Sequence, residues 1–143
     1  MKKLSISALL FLLLVSVAGG AGRSYAADDG MNVFWEKFKA AVIKRDKETV
    51  AALSAFPISM GYGIPSIKNK TQLMKNYVTI FAGETNAAKC FRTSKPEIDK
   101  KRPKEFTVGC PFAKGGSDEE PFVYTFKLTR YGWRFTSFEN INE

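Results

Sequence analysis

FVYTFKLTRYGWRFTSFENI, residues 122–141, decides how this chain is read. Aromatic and β-branched residues alternate with polar ones from Phe122 to Arg130 and again from Trp133 to Ile141. That is the two-residue period of strands with one buried face. Tyr131-Gly132 marks a tight turn between them, with glycine supplying the positive φ that such hairpins need. This turn pairs Arg130 with Trp133. Phe122, Tyr124, Phe126, Leu128, Trp133, Phe135 and Ile141 then share an inner face with Ser137 and with Glu139, which falls opposite Tyr124. A slip of one residue would turn the whole set outward, so the register is strongly specified.

Two further strand-like runs precede this hairpin, at 87–94 and 105–112. Cys90 and Cys110 supply a register for them. If the two face each other across an antiparallel pair, Arg92 opposes Val108, Ser94 opposes Phe106, and Pro96–Lys104 becomes the connecting loop. A disulfide here is the first reading, worth about 3 kcal/mol for a loop of this length; two free thiols are the alternative. Arg92 on an apolar face needs a partner or water. One reading pairs it with Glu139 or lets both reach solvent at a sheet edge. The other gathers Arg92, Tyr124, Trp133, Ser137 and Glu139 into a concave pocket whose polar end orients a small ligand. Tyr62 and Tyr77 then line it from the opposite side, or simply pack in the core.

Upstream of the strands the apolar spacing is helical. Phe34, Phe38, Ala41 and Val42 form one stripe between Met31 and Arg45, with Trp35 beside it. Asp46 is a good cap for a second helix over 47–55, ended by Pro57. Residues 58–67, with Gly61, Gly63 and Pro65, read as a short irregular strand and turn. Gly61-Tyr62-Gly63 lacks the third glycine and the preceding strand of a dinucleotide loop. A third helix spans about 70–81. Asn69-Lys70-Thr71 matches a glycosylation sequon, but Asn69 is read first as the cap of that helix.

At the other end of the chain, Lys2 and Lys3 precede the apolar run Leu9–Val15, and Ser24-Tyr25-Ala26 closes the segment with small residues at its first and third places. Residues 1–26 thus read as a secretory signal peptide cleaved near Ala26, leaving a single domain at 27–143 in the periplasm or outside a bacterial cell. The apolar run is shorter than the roughly 20 residues of a membrane span, so no stable span is expected after cleavage. Retention of the leader as an anchor is the lesser alternative.

The chain carries a formal charge of +8, three units of which sit on Lys2, Lys3 and Arg23. This balance suits anionic surfaces or plain solubility. No helix shows a basic stripe, so nucleic acid is not an expected partner. The chain has no histidine, which excludes Ser-His-Asp and Cys-His machinery within it. Two distant cysteines are too few for a zinc site, and neither a metal nor a cofactor is expected. Asp118-Glu119-Glu120 lacks the regularly spaced oxygens of a calcium loop and reads as a solvated turn.

Phe34-Trp35-Glu36-Lys37-Phe38, Lys44-Arg45-Asp46, Val50–Leu53 through Phe56-Pro57, Ile67–Lys70, Asn76–Phe81, Gly132–Phe135 and Glu139–Glu143 together resemble small secreted bacterial proteins of the nuclear transport factor 2-like superfamily (SnoaL-like). The resemblance implies an α+β cone: a strongly curved antiparallel sheet with N-terminal helices packed in its concavity and an internal pocket. Sheet-to-sheet dimers are common in that superfamily, so it also implies a homodimer by analogy. Its enzymes, such as ketosteroid isomerases, scytalone dehydratases and limonene epoxide hydrolases, place acidic, tyrosine or histidine groups in the pocket. Here only Glu139 with Tyr124 offers an analogue.

Three functions follow as expectations. The first is a non-enzymatic extracytoplasmic domain binding a small, partly apolar ligand or a protein partner in the concave pocket. The second is an isomerase, dehydratase or hydrolase with Glu139 as base and Tyr124 as donor. The third is adhesion to an anionic envelope polymer through Lys95, Lys100, Lys101, Arg102 and Lys104 at the first hairpin loop.

Overall fold

In the computed structural model the described residues are 25–61, 65–114 and 121–140, with side chains from Gly30 onward. The leader before Tyr25, Tyr62, the acidic turn Asp118–Glu120 and Ile141 lie outside them. Four α-helices and five strands follow in the order α1 (Tyr25–Lys44), α2 (Lys47–Ala52), β1 (Ser54–Met60), α3 (Lys70–Val78), a π-helical turn (Thr79–Gly83), α4 (Ala87–Cys90), β2 (Glu97–Ile98), β3 (Glu105–Cys110), β4 (Phe122–Thr129) and β5 (Gly132–Asn140). The architecture is α+β, with the helices packed against one face of an open five-stranded sheet ordered β1-β5-β4-β3-β2. Its four later strands pair antiparallel, β3–β4 and β4–β5 among them as expected, while β2 falls within the expected loop Pro96–Lys104. The expectation of a wholly antiparallel sheet is corrected at β1, which joins the edge of β5 in parallel. Pro57 is tolerated there because an edge strand needs only one row of ladder hydrogen bonds.

The helix ends follow local chemistry. Arg45 adopts φ +56°, and the Arg45 and Asp46 amides return to the carbonyls of Val42 and Ala41 at 3.1 and 2.9 Å, closing α1. Asp46 then accepts from the Thr49 amide at 3.1 Å and opens α2. Asn69 does the same for α3, accepting from the Gln72 amide at 3.0 Å. The stripe on α1 faces the sheet. The Phe38 ring lies 4.9 Å from Phe126 and 5.5 Å from Phe135, and Trp35 lies 4.9 Å from Phe91. Phe106, Phe126 and Phe135 are fully buried beneath these helices, and Trp133 nearly so. No helix among the described residues is long and apolar enough to cross a membrane.

Two expected elements are corrected. The run 87–94 is not a strand. Asn86 caps a short helix there, accepting from the Lys89 amide at 3.0 Å, and two unbranched alanines follow that cap easily. The Cys90–Cys110 disulfide is present, with the Cα atoms 5.8 Å apart. It ties the end of α4 to the end of β3 rather than joining two strands. The strand paired with β3 is β2, with Ile98 opposite Phe106, so Arg92 does not oppose Val108 and is exposed. The second correction shortens the second helix to Ala52 and starts the next strand at Ser54, four residues before the expected Ile58.

The final hairpin also shifts. Arg130 and Tyr131 form its two-residue turn, Gly132 follows at φ +90°, and Trp133 opposes Leu128 instead of Arg130. A shift by two keeps Trp133 and Phe135 facing inward. A bulge across Phe135–Ser137 then adds one residue, and the faces exchange. Phe138 opposes Tyr124, Asn140 opposes Phe122, and Glu139 opposes Val123 on the outer face.

Because the disulfide spans 20 residues, replacing both cysteines (Cys90→Ser with Cys110→Ser) is expected to lower unfolding free energy by about 3 kcal/mol. Chemical denaturation followed by far-ultraviolet circular dichroism checks this.

Candidate ligand-binding site

Tyr124 stands at the centre of the inner face. Its side chain is fully buried. Its ring stacks on Phe81 at 5.7 Å and meets Phe91 at 5.0 Å and Phe138 at 4.8 Å. The hydroxyl donates to the Ile80 carbonyl at 2.7 Å. That use of its one proton leaves Thr85 Oγ1, at 2.6 Å, as donor to the phenolic oxygen. The π turn at Thr79–Gly83 contains Ile80, and a turn with i→i+5 bonding presents a carbonyl that ordinary helix pairing would have used. Burial pushes the Tyr124 phenol far above the usual tyrosine range, with the Thr85 hydrogen bond opposing that shift.

The expected pocket residues separate. Tyr77 is buried, its ring 4.8 Å from Phe81 and its hydroxyl 3.5 Å from the Val42 carbonyl; burial raises its pKa as well. Phe81 thus joins Tyr77 to Tyr124. Trp133 packs on Phe106 at 5.2 Å, as part of the core. Ser137 is buried between its register partners Thr125 and Ser59. Arg92 and Glu139 are exposed, so neither reaches Tyr124 and no Arg92–Glu139 pair forms. The proposed base is therefore displaced by the bulge in β5, which sends Glu139 to the other face. Among the described residues the buried polar side chains outside the tyrosines are Ser54, Thr85, Ser137 and Asn140, and none of these is charged.

The bulge brings in residues that the sequence reading passed over. Phe138 enters the inner face and stacks on Phe122 at 4.9 Å; Phe122 in turn meets Phe112 at 4.9 Å. The ends of β1, β3, β4 and β5 converge around this ladder. The Gly61 amide donates to the Phe138 carbonyl at 3.0 Å, and Thr85 bridges to Phe112. A Cβ at Gly61 would come within 3.3 Å of the Glu139 backbone, so glycine permits this close approach. Phe112 and Met60 are half-buried here, and Asn140 brings an amide to the same end. One signal was available in the sequence. A strict alternation leaves the large Phe138 exposed and buries Glu139, and an extra residue after Phe135 removes both costs.

The basic loop is also altered by its neighbours. Arg102 Nε bonds Asp99 at 3.1 Å, and Arg102 Nη1 bonds Glu105 at 2.5 Å, so its charge is compensated within the loop.

No protein-family model matches this chain, and no curated protein matches it. Solved structures do. The chain resembles NTF2-like proteins. Among them is an NTF2-like protein with a cystatin-like fold from Novosphingobium aromaticivorans, 12% identical, covering 82% of each chain with a TM-score of 0.44. The Δ5-3-ketosteroid isomerase from Mycobacterium sp. is 17% identical, covering 80% of this chain and 93% of its own, at 0.47. A computationally designed 17-OHP binder is 14% identical, covering 80% and 91%, at 0.48.

Tyr124→Phe keeps the ring but strands the Ile80 carbonyl and the Thr85 hydroxyl. It is expected to cost about 1–3 kcal/mol in denaturant titrations, and adding Thr85→Val should return part of that loss. A raised folded-state pKa also fixes a pH dependence. Below about pH 10 both states hold the phenolic proton and stability is unaffected. Above it the unfolded chain loses the proton first, so stability falls by up to about 1.4 kcal/mol per pH unit for Tyr124. Alkaline denaturation monitored with tyrosinate absorbance should show ionisation of Tyr124 only as the protein unfolds.

Proposed function

We propose that this protein is an extracytoplasmic, non-enzymatic binding domain for a small, partly apolar ligand held at the aromatic end of its concave face. One observation carries the reading. The described interior buries no charged group, and the Tyr124 hydroxyl at its centre is occupied on both sides by the Ile80 carbonyl and Thr85. Such a lining offers apolar contact and shape rather than proton transfer, which needs an acid or base within about 3 Å of the moving proton. The Phe112–Phe122–Phe138 ladder, with half-buried Met60 beside it, has the mostly apolar composition of a ligand site. The leader-like residues 1–26 and the Cys90–Cys110 disulfide support a location outside the cytoplasm.

The test begins with protein exported by its own secretion signal. Native mass spectrometry should find a chain starting at Ala27 with a non-covalent small molecule attached. The neutral fluorophore N-phenylnaphthylamine should bind and be displaced by an organic extract of the purified protein. Phe112→Ala should weaken that binding about tenfold, equivalent to about 1.4 kcal/mol and within the value of partly burying one ring. A chain that carries no guest and does not bind the fluorophore defeats the reading; capture of a folded protein at this end would assign the site to a protein partner instead.

A further inference from the structure

β4 and β5 run from the aromatic end to the turn at Arg130-Tyr131, roughly 23 Å away for a strand of this length. The far end has a different chemistry. An apolar cleft of about 410 Å³ opens there between the first half of α1 and the hairpin, lined by Val33, Phe34, Leu53, Leu128 and Trp133 and edged by Lys37 and Arg134. Leu128 is shared with a second depression that includes Arg102, Lys104, Glu105 and Lys127. Val33 is 71% exposed, Tyr131 67% and Leu128 37%. Single exposed apolar residues need no explanation, but two of them lining one cleft, with Tyr131 in the adjoining hairpin turn, do.

Only part of the charge at this end is neutralised by its neighbours. Asp99 and Glu105 are committed to Arg102, and Glu105 also to Lys127 at 3.3 Å. Glu36 on α1 is held by Lys39 at 2.6 Å. Among the described residues, Lys37, Lys104, Arg130 and Arg134 form no ion pair. The Arg130 guanidinium lies over the Tyr131 ring at 4.6 Å, so the turn presents a cation and an aromatic ring together.

We propose that this end docks on an anionic phospholipid surface. Val33, Leu128 and Tyr131 enter the boundary between headgroups and acyl chains, while Lys37, Lys104, Arg130 and Arg134 meet the phosphates. Apolar tips ringed by long cationic side chains match a bilayer interface, where the aliphatic stems stay near the hydrocarbon and the charges reach the headgroups. A purely polyanionic partner has no use for the apolar tips, and the cleft would remain wet under it.

The test is co-sedimentation of the exported, purified chain with vesicles of phosphatidylcholine, either pure or with about one third phosphatidylglycerol. Binding to the mixed vesicles should exceed binding to the pure ones at least ~tenfold and should weaken as salt is raised. Lys104→Glu with Arg130→Glu and Arg134→Glu should remove the preference. Leu128→Ser with Tyr131→Ser should reduce binding several-fold while leaving its salt dependence. Tyr131→Trp should shift its emission to the blue on mixed vesicles alone, a reading that stands even if the multiple variants fold poorly. Equal binding to neutral vesicles, indifference to charge reversal, or no emission shift overturns the proposal. So does equal affinity for dextran sulfate that ignores the Leu128 and Tyr131 substitutions, which assigns the cations to a polymer. Phe112→Ala, which probes the opposite end, should leave vesicle binding unchanged.

Discussion

An extra residue in β5 between Phe135 and Ser137 turns the last part of that strand over, and the inner surface follows from it. Before the bulge, Trp133 and Phe135 face the helices; after it, Phe138 and Asn140 take the inward positions. Without the bulge the same turn would set Ser137 opposite Tyr124 and Glu139 opposite Phe122 on the inner face, and Phe138 would face solvent. Burying an unpartnered carboxylate is far more costly than disturbing one ladder position. The bulge therefore settles which residues of β5 make up the inner face.

What the bulge arranges, Tyr124 locks. Its hydroxyl reaches across to the π turn, where Ile80 presents a carbonyl, and Thr85 closes the group from the other side. These bonds join the sheet to the segment that follows α3 at the point where the aromatic rings are densest. A tyrosine held in this way is a structural fastener. Its proton is committed to the Ile80 carbonyl and its ionisation is opposed by burial, so this side chain is part of what keeps the interior fixed.

The molecule is consequently polarised along its strands. One end gathers Phe112, Phe122 and Phe138 at the convergence of four strand ends. The other carries the hairpin turn, the start of α1 and a set of uncompensated cations around an apolar cleft. The disulfide belongs to the first end, fastening α4 to β3 near Phe112, beside the Thr85–Phe112 bridge.

Read alone, the sequence determined the helical stripe on α1, the caps Asp46 and Asn69, the last three strands, the Cys90–Cys110 bond and the α+β class, because each depends on neighbours a few residues apart or on a single chemically obvious pairing. It also excluded histidine chemistry outright. Tertiary structure alone decided that β1 runs parallel to β5, that Asn86 starts a helix where strand-like residues follow, and that Glu139 and Arg92 lie outside while Phe138 lies within. The exchange of Glu139 for Phe138 turns on where the chain inserts one residue into a ladder. The insertion is favoured by the summed burial of distant side chains, which no local stretch of sequence records.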